Sequence, residues 1–170
     1  QSLGTATRIL GSKILAVDLS LSSLAYAKRK TRELGVSNIN YAQADILELE
    51  SLDRRFDLVE CGGVLHHLED PLAGWRVLVS LLRPGGFMQI ALYSETARQP
   101  IVKARGLIAE RGYTPSSDDI RRFRQDLMTK DEDPEILKLF DVRDFYSLSE
   151  CRDLLFHVQE HLFTIPQIKN

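Results

Sequence analysis

Strand and helix patterns alternate over the first half of the chain, and this alternation limits the fold more than any other feature. Aliphatic runs typical of strands occur in KILAV (13–17), NINYAQAD (38–45), RFDLVECGGV (55–64) and FMQIALY (87–93). The helical pattern after the first run can be capped by Ser20 or Ser22 and ends at Gly35. The order predicts an α/β fold with a doubly wound, mainly parallel sheet, its first strand buried on both faces.

The segment before the last of these strands carries clear boundary signals. Asp70 as N-cap with Pro71 at the first helical position predicts a helix to about Leu82. The sequence RPGG (83–86) then predicts a tight turn before the strand FMQIALY.

After Tyr93 the pattern becomes helical. PSSDDIRRFRQDLM (115–128) predicts a capped helix with a basic polar face, and Ser147 with Glu150 forms a capping box for a helix from Leu148. Thr164 and Pro166 mark the start of another helix. The predicted domains are therefore 1–95, an α/β core, and 96–170, a mostly helical region.

Composition removes several function classes. The net charge of −2 provides no global attraction to nucleic acid or to an anionic membrane. No apolar run approaches the roughly 20 residues that span a bilayer, and the N-terminus lacks a signal-peptide pattern. The two cysteines, Cys61 and Cys151, form no metal or disulfide pattern, so the expected location is the reducing cytoplasm.

Two acids follow successive strands. Asp18 ends the first strand and Asp45 follows the second, which places both at the ligand-binding edge of an open α/β sheet. Asp18 can accept both hydroxyls of a ribose, or it can cap the following helix. Asp45 can accept the amine of an adenine while Ile46 packs on the ring, or it can be an ordinary turn residue.

The segment CGGVLHHLEDP (61–71) is the third feature. Gly62 and Gly63 allow a ligand to approach the backbone. His66 and His67 do not suggest a metal site, because adjacent side chains are expected to point apart and no further ligands accompany them. We expect one histidine to line a pocket and the other to anchor the loop, with a general-base role open. Cys61 reads as a buried strand residue rather than a nucleophile.

The segments ILAVDLS, YAQADILEL, RFDLVECGGVLHHLEDP and LLRPGGFMQIALY resemble, in order and spacing, class I S-adenosylmethionine-dependent methyltransferases of the bacterial small-molecule and orphan type. The resemblance covers about residues 5 to 95. It implies a Rossmann-like fold and S-adenosylmethionine as cofactor. It also implies that 1–95 is a partial cofactor-binding core and that 96–170 covers and selects the substrate. By this resemblance Asp18 and Leu19 contact the adenosyl ribose, and Asp45 and Ile46 hold the adenine. The implied residues beside the methionine part and the transferred methyl group are Cys61, Gly62, Gly63, Val64 and His67.

The chain departs from the family at its start. The family has one more strand before the strand that ends at Asp18, followed by an acid-x-Gly-x-Gly loop. Both are absent from this sequence. That strand is central in the family's sheet, so its removal would split the sheet. The closing strand pair is also absent. We therefore expect an internal piece of a longer protein, incomplete at both ends and inactive alone. Another segment or a second chain would complete the sheet, and some relatives are fused to tetratricopeptide repeats.

The expected activity is methyl transfer to an acceptor by in-line displacement, with His67 as the candidate catalytic residue and no metal. The acceptor, a small molecule or a protein, is not indicated. Two alternatives remain open: a non-catalytic cofactor-binding or regulatory domain on the same fold, and a nicotinamide-dependent oxidoreductase, which also uses an acid after its second strand. Nucleic acid is a disfavoured partner, because the basic residues Arg121, Arg122 and Arg124 suit a solvated helix face.

Overall fold

The computed structural model describes residues 1–130 and 132–169. Its strands are β1 (Ile14–Asp18), β2 (Ile39–Gln43), β3 (Phe56–Gly62), β4 (Leu82–Ala91), β5 (Tyr93–Ser94) and β6 (Leu162–Phe163). Its helices are α1 (Ser2–Arg8), α2 (Leu21–Glu33), α3 (Pro71–Ser80), α4 (Gln99–Glu110), α5 (Ser117–Thr129), α6 (Pro134–Leu137), α7 (Leu148–Phe156) and α8 (Ile165–Lys169). Short 3-10 turns cover Ile46–Ser51, Leu65–His67, Lys138–Asp141 and Arg143–Phe145.

The chain divides into two compact units. The first contains Gln1–Val59 and Leu72–Met88, and the second contains Glu60–Pro71 and Gln89–Asn170. The division into a cofactor-binding core and a substrate region near residue 95 concerns function and stays a prediction.

In the first unit β1 and β2 pair in parallel, with Ile14 opposite Ile39 and Asp18 opposite Gln43. Helix α2 packs against both strands, and its N-cap is Ser20, whose side chain accepts a hydrogen bond from the Ser23 N–H. The strand β1 was predicted to be buried on both faces, and this is wrong, since its residues are half-buried or exposed. Among the described strands β1 is bonded to β2 alone, so only one of its edges is covered.

The second strand pair is β3 with β4. The predicted turn Arg83–Gly86 does not precede the strand but lies within β4, which begins at Leu82. The local conformation still has turn character, because Gly85 has a φ of +79°. A Cβ added to Gly86 would lie 3.0 Å from the Arg83 carbonyl oxygen, so the backbone folds tightly here.

The second unit has a helical core. Helices α4, α5 and α7 contribute fully buried side chains, among them Ala104, Ile120, Phe123 and Cys151. The capped helix predicted within 115–128 is confirmed, with Ser116 as its N-cap, and so is the predicted Ser147 cap. Ser116 and Ser147 accept hydrogen bonds from the N–H groups of residues 119 and 150, 3.1 Å away in each case. The parallel β5–β6 pair, which joins segments about 70 residues apart, was not predicted.

The strands follow the predicted Rossmann-like plan, in which β1 pairs with β2 and β3 pairs with β4. Within the β1–β2 pair and within the β5–β6 pair, the two strands run parallel to each other. Within the described residues, no helix combines the length and apolar character needed to cross a membrane.

Candidate functional site

The two predicted acids lie at one edge of the β1–β2 pair. Because the strands are parallel and Asp18 is opposite Gln43, the carboxyl ends of β1 and β2 are level, and Asp45 follows two residues later. Asp18 is exposed, and its Oδ1 accepts the Ser20 N–H at 2.8 Å. Asp45 caps the turn Ile46–Ser51, and its Oδ1 accepts the Leu47 N–H at 2.9 Å. Asp45 thus has the turn role that the sequence offered as the alternative, whereas the cap of α2 is Ser20 and not Asp18.

These local bonds leave part of each carboxylate available. Neither Oδ2 has a hydrogen-bond partner within residues 1–130 and 132–169, and each is an acceptor for a hydroxyl or amine. Two apolar side chains accompany them, Leu19, which is 67% exposed, and half-buried Ile46. Acceptors beside apolar surface at a sheet edge fit the polar sugar and flat base of a nucleoside.

Gln43 was not predicted as a residue of this site. Its side-chain Nε2 donates to the Leu19 carbonyl oxygen at 2.9 Å and so ties the end of β2 to the residue after β1. This bond fixes the backbone next to Asp18. The signal available in the sequence was its place in β2, two residues before Asp45.

In the second unit the Cys61–Val64 segment combines burial with open space. Cys61 is 6% exposed, and burial raises the pKa of its thiol, which fits the predicted structural role. Gly63 has a φ of +77°, so glycine is favoured here by the backbone itself. A Cβ at Gly63 would meet no atom within 4 Å, and Val64 is 42% exposed. Gly62 ends β3. The segment has room for a ligand.

The neighbouring histidines do not point apart as expected. The 3-10 turn Leu65–His67 brings the centroids of the His66 and His67 rings to 4.2 Å. A metal site is nevertheless not formed, since no group of three His, Cys, Asp or Glu side chains in the described part of the chain is suitably placed.

His66 is an unusual buried group. Its side chain is 0% exposed, it stacks on Tyr93 at 3.8 Å, and neither ring nitrogen has a hydrogen-bond partner among the described residues. Burial, followed by the nearby charges of His67 and Arg98, lowers its pKa to about 4, with Glu160 opposing this shift. The main-chain oxygen of His66 accepts the His161 N–H at 2.8 Å, so this residue anchors the loop.

His67 is half-buried and more accessible than His66. Its Nδ1 lies 2.9 Å from the carbonyl oxygen of Gln159, and its ring stacks on His157 with centroids 3.9 Å apart. One histidine, His66, thus anchors the loop as expected, and the pocket-lining role expected of the other stays a prediction.

A buried ion-pair group holds the segment after α7. The Glu160 side chain is 3% exposed, and its Oε2 lies 2.6 Å from Arg98 Nη2 and 3.0 Å from Arg105 Nη2. Burial raises the pKa of this carboxyl, but the hydrogen bond from Arg98 and both arginine charges outweigh burial and hold the pKa below its usual value. The Arg98 guanidinium also lies 3.6 Å above the Tyr93 ring. Sequence patterns gave no sign of this group.

The basic residues of α5 have local partners. Arg121 pairs with Asp118 at 3.1 Å and Arg122 with Asp119 at 3.0 Å, each one turn away on the same helix. Arg124 lies over the ring of Phe145 at 5.5 Å. These contacts favour the interpretation of α5 as a solvated helix face.

Comparison with known families decides the class of protein. Residues 2–90 match the family model described as a methyltransferase domain. The chain belongs to this family. The prediction of a class I S-adenosylmethionine-dependent methyltransferase is confirmed, and S-adenosylmethionine is the cofactor that this class uses. The family match gives no support to the oxidoreductase alternative.

Individual relatives agree with the family assignment. The methyltransferase-domain chain is 38% identical over 99 residues (58% of its length) to the uncharacterized protein syc1184_c of Synechococcus sp., of which it covers 24%. The chain is also 30% identical to the ubiquinone/menaquinone biosynthesis C-methyltransferase UbiE of Vibrio cholerae. That alignment covers 57% of this chain and 38% of UbiE. The chain thus spans well under half of these two relatives.

A solved structure extends the likeness of fold beyond the family match. The structure of PKMT2 from Rickettsia typhi in complex with AdoHcy is similar to this chain, with a TM-score of 0.72 and 21% sequence identity. The alignment covers 93% of this chain and 33% of the PKMT2 chain. At this identity the likeness concerns the fold alone.

Proposed function

We propose that this chain is part of an enzyme that transfers a methyl group from S-adenosylmethionine to an acceptor by in-line displacement. The observation that carries the proposal is the pair of acids at the level ends of β1 and β2, each with one carboxylate oxygen that has no hydrogen-bond partner among the described residues. The family match supports the same activity.

The proposed cofactor contacts follow from the chemistry of each residue. Asp18 accepts hydrogen bonds from the ribose hydroxyls, beside Leu19, while Asp45 accepts from the adenine amine. Ile46 packs against the adenine ring. On the second unit, we assign Cys61–Val64 to the methionine part of the cofactor, which the open space at Gly63 supports.

When bound, S-adenosylmethionine supplies a methyl group attached to a sulfonium, which is an excellent leaving group. The protein therefore has to orient the acceptor rather than activate the donor, and correct alignment alone accounts for much of the rate. Where the acceptor must lose a proton, a base is needed as well, and His67 is the proposed base.

Calorimetric titration of the full-length protein tests the cofactor assignment. We expect S-adenosylmethionine and S-adenosylhomocysteine to bind and NADH not to bind. Hydrogen bonds to a charged group contribute about 1.5–3 kcal/mol each, so the loss of both ribose bonds in Asp18→Ala should weaken binding by at least about 100-fold. The matched control is Asp53→Ala, an exposed acid of the same unit, which should leave the affinity unchanged. Equal affinities of the wild type and Asp18→Ala would contradict the ribose assignment.

Turnover separates an enzyme from a regulatory domain. Methylation of at least one compound in a panel of amines, phenols, thiols and carbon acids would support the proposed activity. Cofactor binding without any turnover would favour the non-catalytic alternative. A cytoplasmic location is part of the proposal, supported by the two free thiols of Cys61 and Cys151.

A further inference from the structure

Two stacked imidazoles in the second unit share one main-chain carbonyl group. We propose that the Gln159 carbonyl and the His157 ring position His67, so that His67 Nε2 accepts the proton of the methyl acceptor. This inference rests on the proposed function. It adds two positioning residues, both about 90 positions downstream of the histidine they hold.

The Gln159 carbonyl defines the tautomer of His67. A carbonyl oxygen only accepts hydrogen bonds, so the contact of 2.9 Å requires that His67 Nδ1 carries the proton and donates it. In the neutral ring, Nε2 then has a lone pair and no proton. A hydrogen bond from Nδ1–H to a carbonyl also makes Nε2 a better proton acceptor.

The His157 ring limits how His67 can rotate. The two rings are nearly parallel, with an interplanar angle of 26° and centroids 3.9 Å apart. His157 itself is less constrained, because its Nδ1 lies 2.9 Å from the Gln159 oxygen and 3.3 Å from the Gln159 nitrogen. The shorter contact favours donation to the oxygen. His157 can also exchange tautomers, whereas His67 has only the carbonyl at its Nδ1.

The segment that supplies the carbonyl is held on both sides. The Gln159 side chain donates from Nε2 to the Leu68 carbonyl oxygen at 3.1 Å, next to His67. The following residues are fixed by the Glu160 ion pairs with Arg98 and Arg105 and by the His161 N–H bond to the His66 oxygen. This segment, His157–His161, is therefore attached directly to the histidine turn, which gives the carbonyl a defined position.

The proposed proton transfer balances. As the acceptor's nucleophilic atom forms its bond to the methyl carbon, the carbon–sulfur bond breaks and its electron pair stays on sulfur. The proton of the acceptor moves to His67 Nε2, which becomes an imidazolium that keeps its Nδ1–H bond to Gln159. Because His67 is half-buried, it can then release the proton to solvent.

Nitrogen-15 NMR of the full-length protein, labelled at histidine, reads the tautomer directly and does not require turnover. We expect His67 to be the Nδ1–H form in the wild type. His157→Ala should increase the Nε2–H form, lower kcat about 10-fold and shift the acidic limb of the pH–rate profile to lower pH, with KM for S-adenosylmethionine unchanged. His157→Phe keeps an aromatic face and should restore the wild-type tautomer.

Two results would overturn the inference: an Nε2–H tautomer of His67 in the wild type, or a His157→Ala variant with unchanged tautomer and kcat. The control is Val158→Ala, which shortens a fully exposed side chain of the same segment and should change neither the tautomer of His67 nor kcat. Failure of the proposed function has a different signature, since it would appear as absent cofactor binding in calorimetry whichever tautomer is observed.

Discussion

Acidification should destabilise this protein through His66, and the effect can be isolated by replacing that residue. His66 is 0% exposed, and its two ring nitrogens have no partner among the described residues. His66→Phe removes the titrating group and keeps a ring for stacking on Tyr93. At pH 7 this variant should be as stable as the wild type or more stable, because buried unpaired polar groups cost about 1–3 kcal/mol.

The magnitude follows from the difference in pKa between the two states. The native pKa of His66 is about 4, mainly because of burial, whereas the ordinary value is 6.5. Between these values the unfolded chain binds a proton that the native state excludes, so stability falls as pH decreases from 6.5 towards 4. At about 1.4 kcal/mol per pH unit, the loss is about 2 kcal/mol by pH 5 and about 3 kcal/mol by pH 4.

Urea unfolding of the wild type and His66→Phe at pH 7, 6 and 5 measures this loss. The difference between the two free energies of unfolding should grow by about 2 kcal/mol over this range. Asp119→Asn provides the control, because the pKa of that carboxyl lies below its ordinary 3.8 and its contribution is lost only below that pH. If the difference in free energy of unfolding between the wild type and His66→Phe were the same at all three pH values, the lowered pKa assigned to His66 would be wrong.

Two further predictions concern stability. Glu160→Ala removes the ion-pair partner of Arg98 and Arg105 and should cost about 3–5 kcal/mol, whereas Lys103→Met, which removes an ion pair with both partners 45% exposed, should cost much less; similar urea midpoints for the two variants would contradict this. Gly63→Ala, at a φ of +77°, should cost about 1–2 kcal/mol, whereas Gly106→Ala within α4, with no atom within 4 Å of its added Cβ, should stabilise by about 0.5–1 kcal/mol. Thermal unfolding would show this opposite sign, and a rise in melting temperature for both variants would exclude strain at Gly63.

Features that depend on a few neighbouring residues were predictable from the sequence. Ser20 and Ser147 were identified as caps because a hydroxyl three residues before a free N–H is a local signal. Gly35 was identified as a helix terminator, and its φ of +67° explains why. The burial of β1 was not predictable in this way, because burial depends on what covers a strand rather than on its own residues.

Contacts between segments that are distant in the sequence were not predicted. The β5–β6 pair is too short to have a periodicity, and it connects Tyr93 to Leu162. The Glu160 ion pairs reach Arg98 and Arg105 across more than 50 residues. In the sequence Glu160 is one acid among 24 Asp and Glu residues, and nothing in its neighbours distinguishes it from a solvated side chain.

The same distinction explains why the donor side of the reaction was easier to predict than the acceptor side. Asp18 and Asp45 owe their common edge to strand register, which a hydrophobic pattern reveals. The tautomer of His67 depends on a main-chain carbonyl 92 residues away, and every residue has such a carbonyl, so no side-chain signature marks it. Under the proposed mechanism, proton acceptance by His67 therefore depends on the position of the backbone, which no side-chain pattern in the sequence reveals.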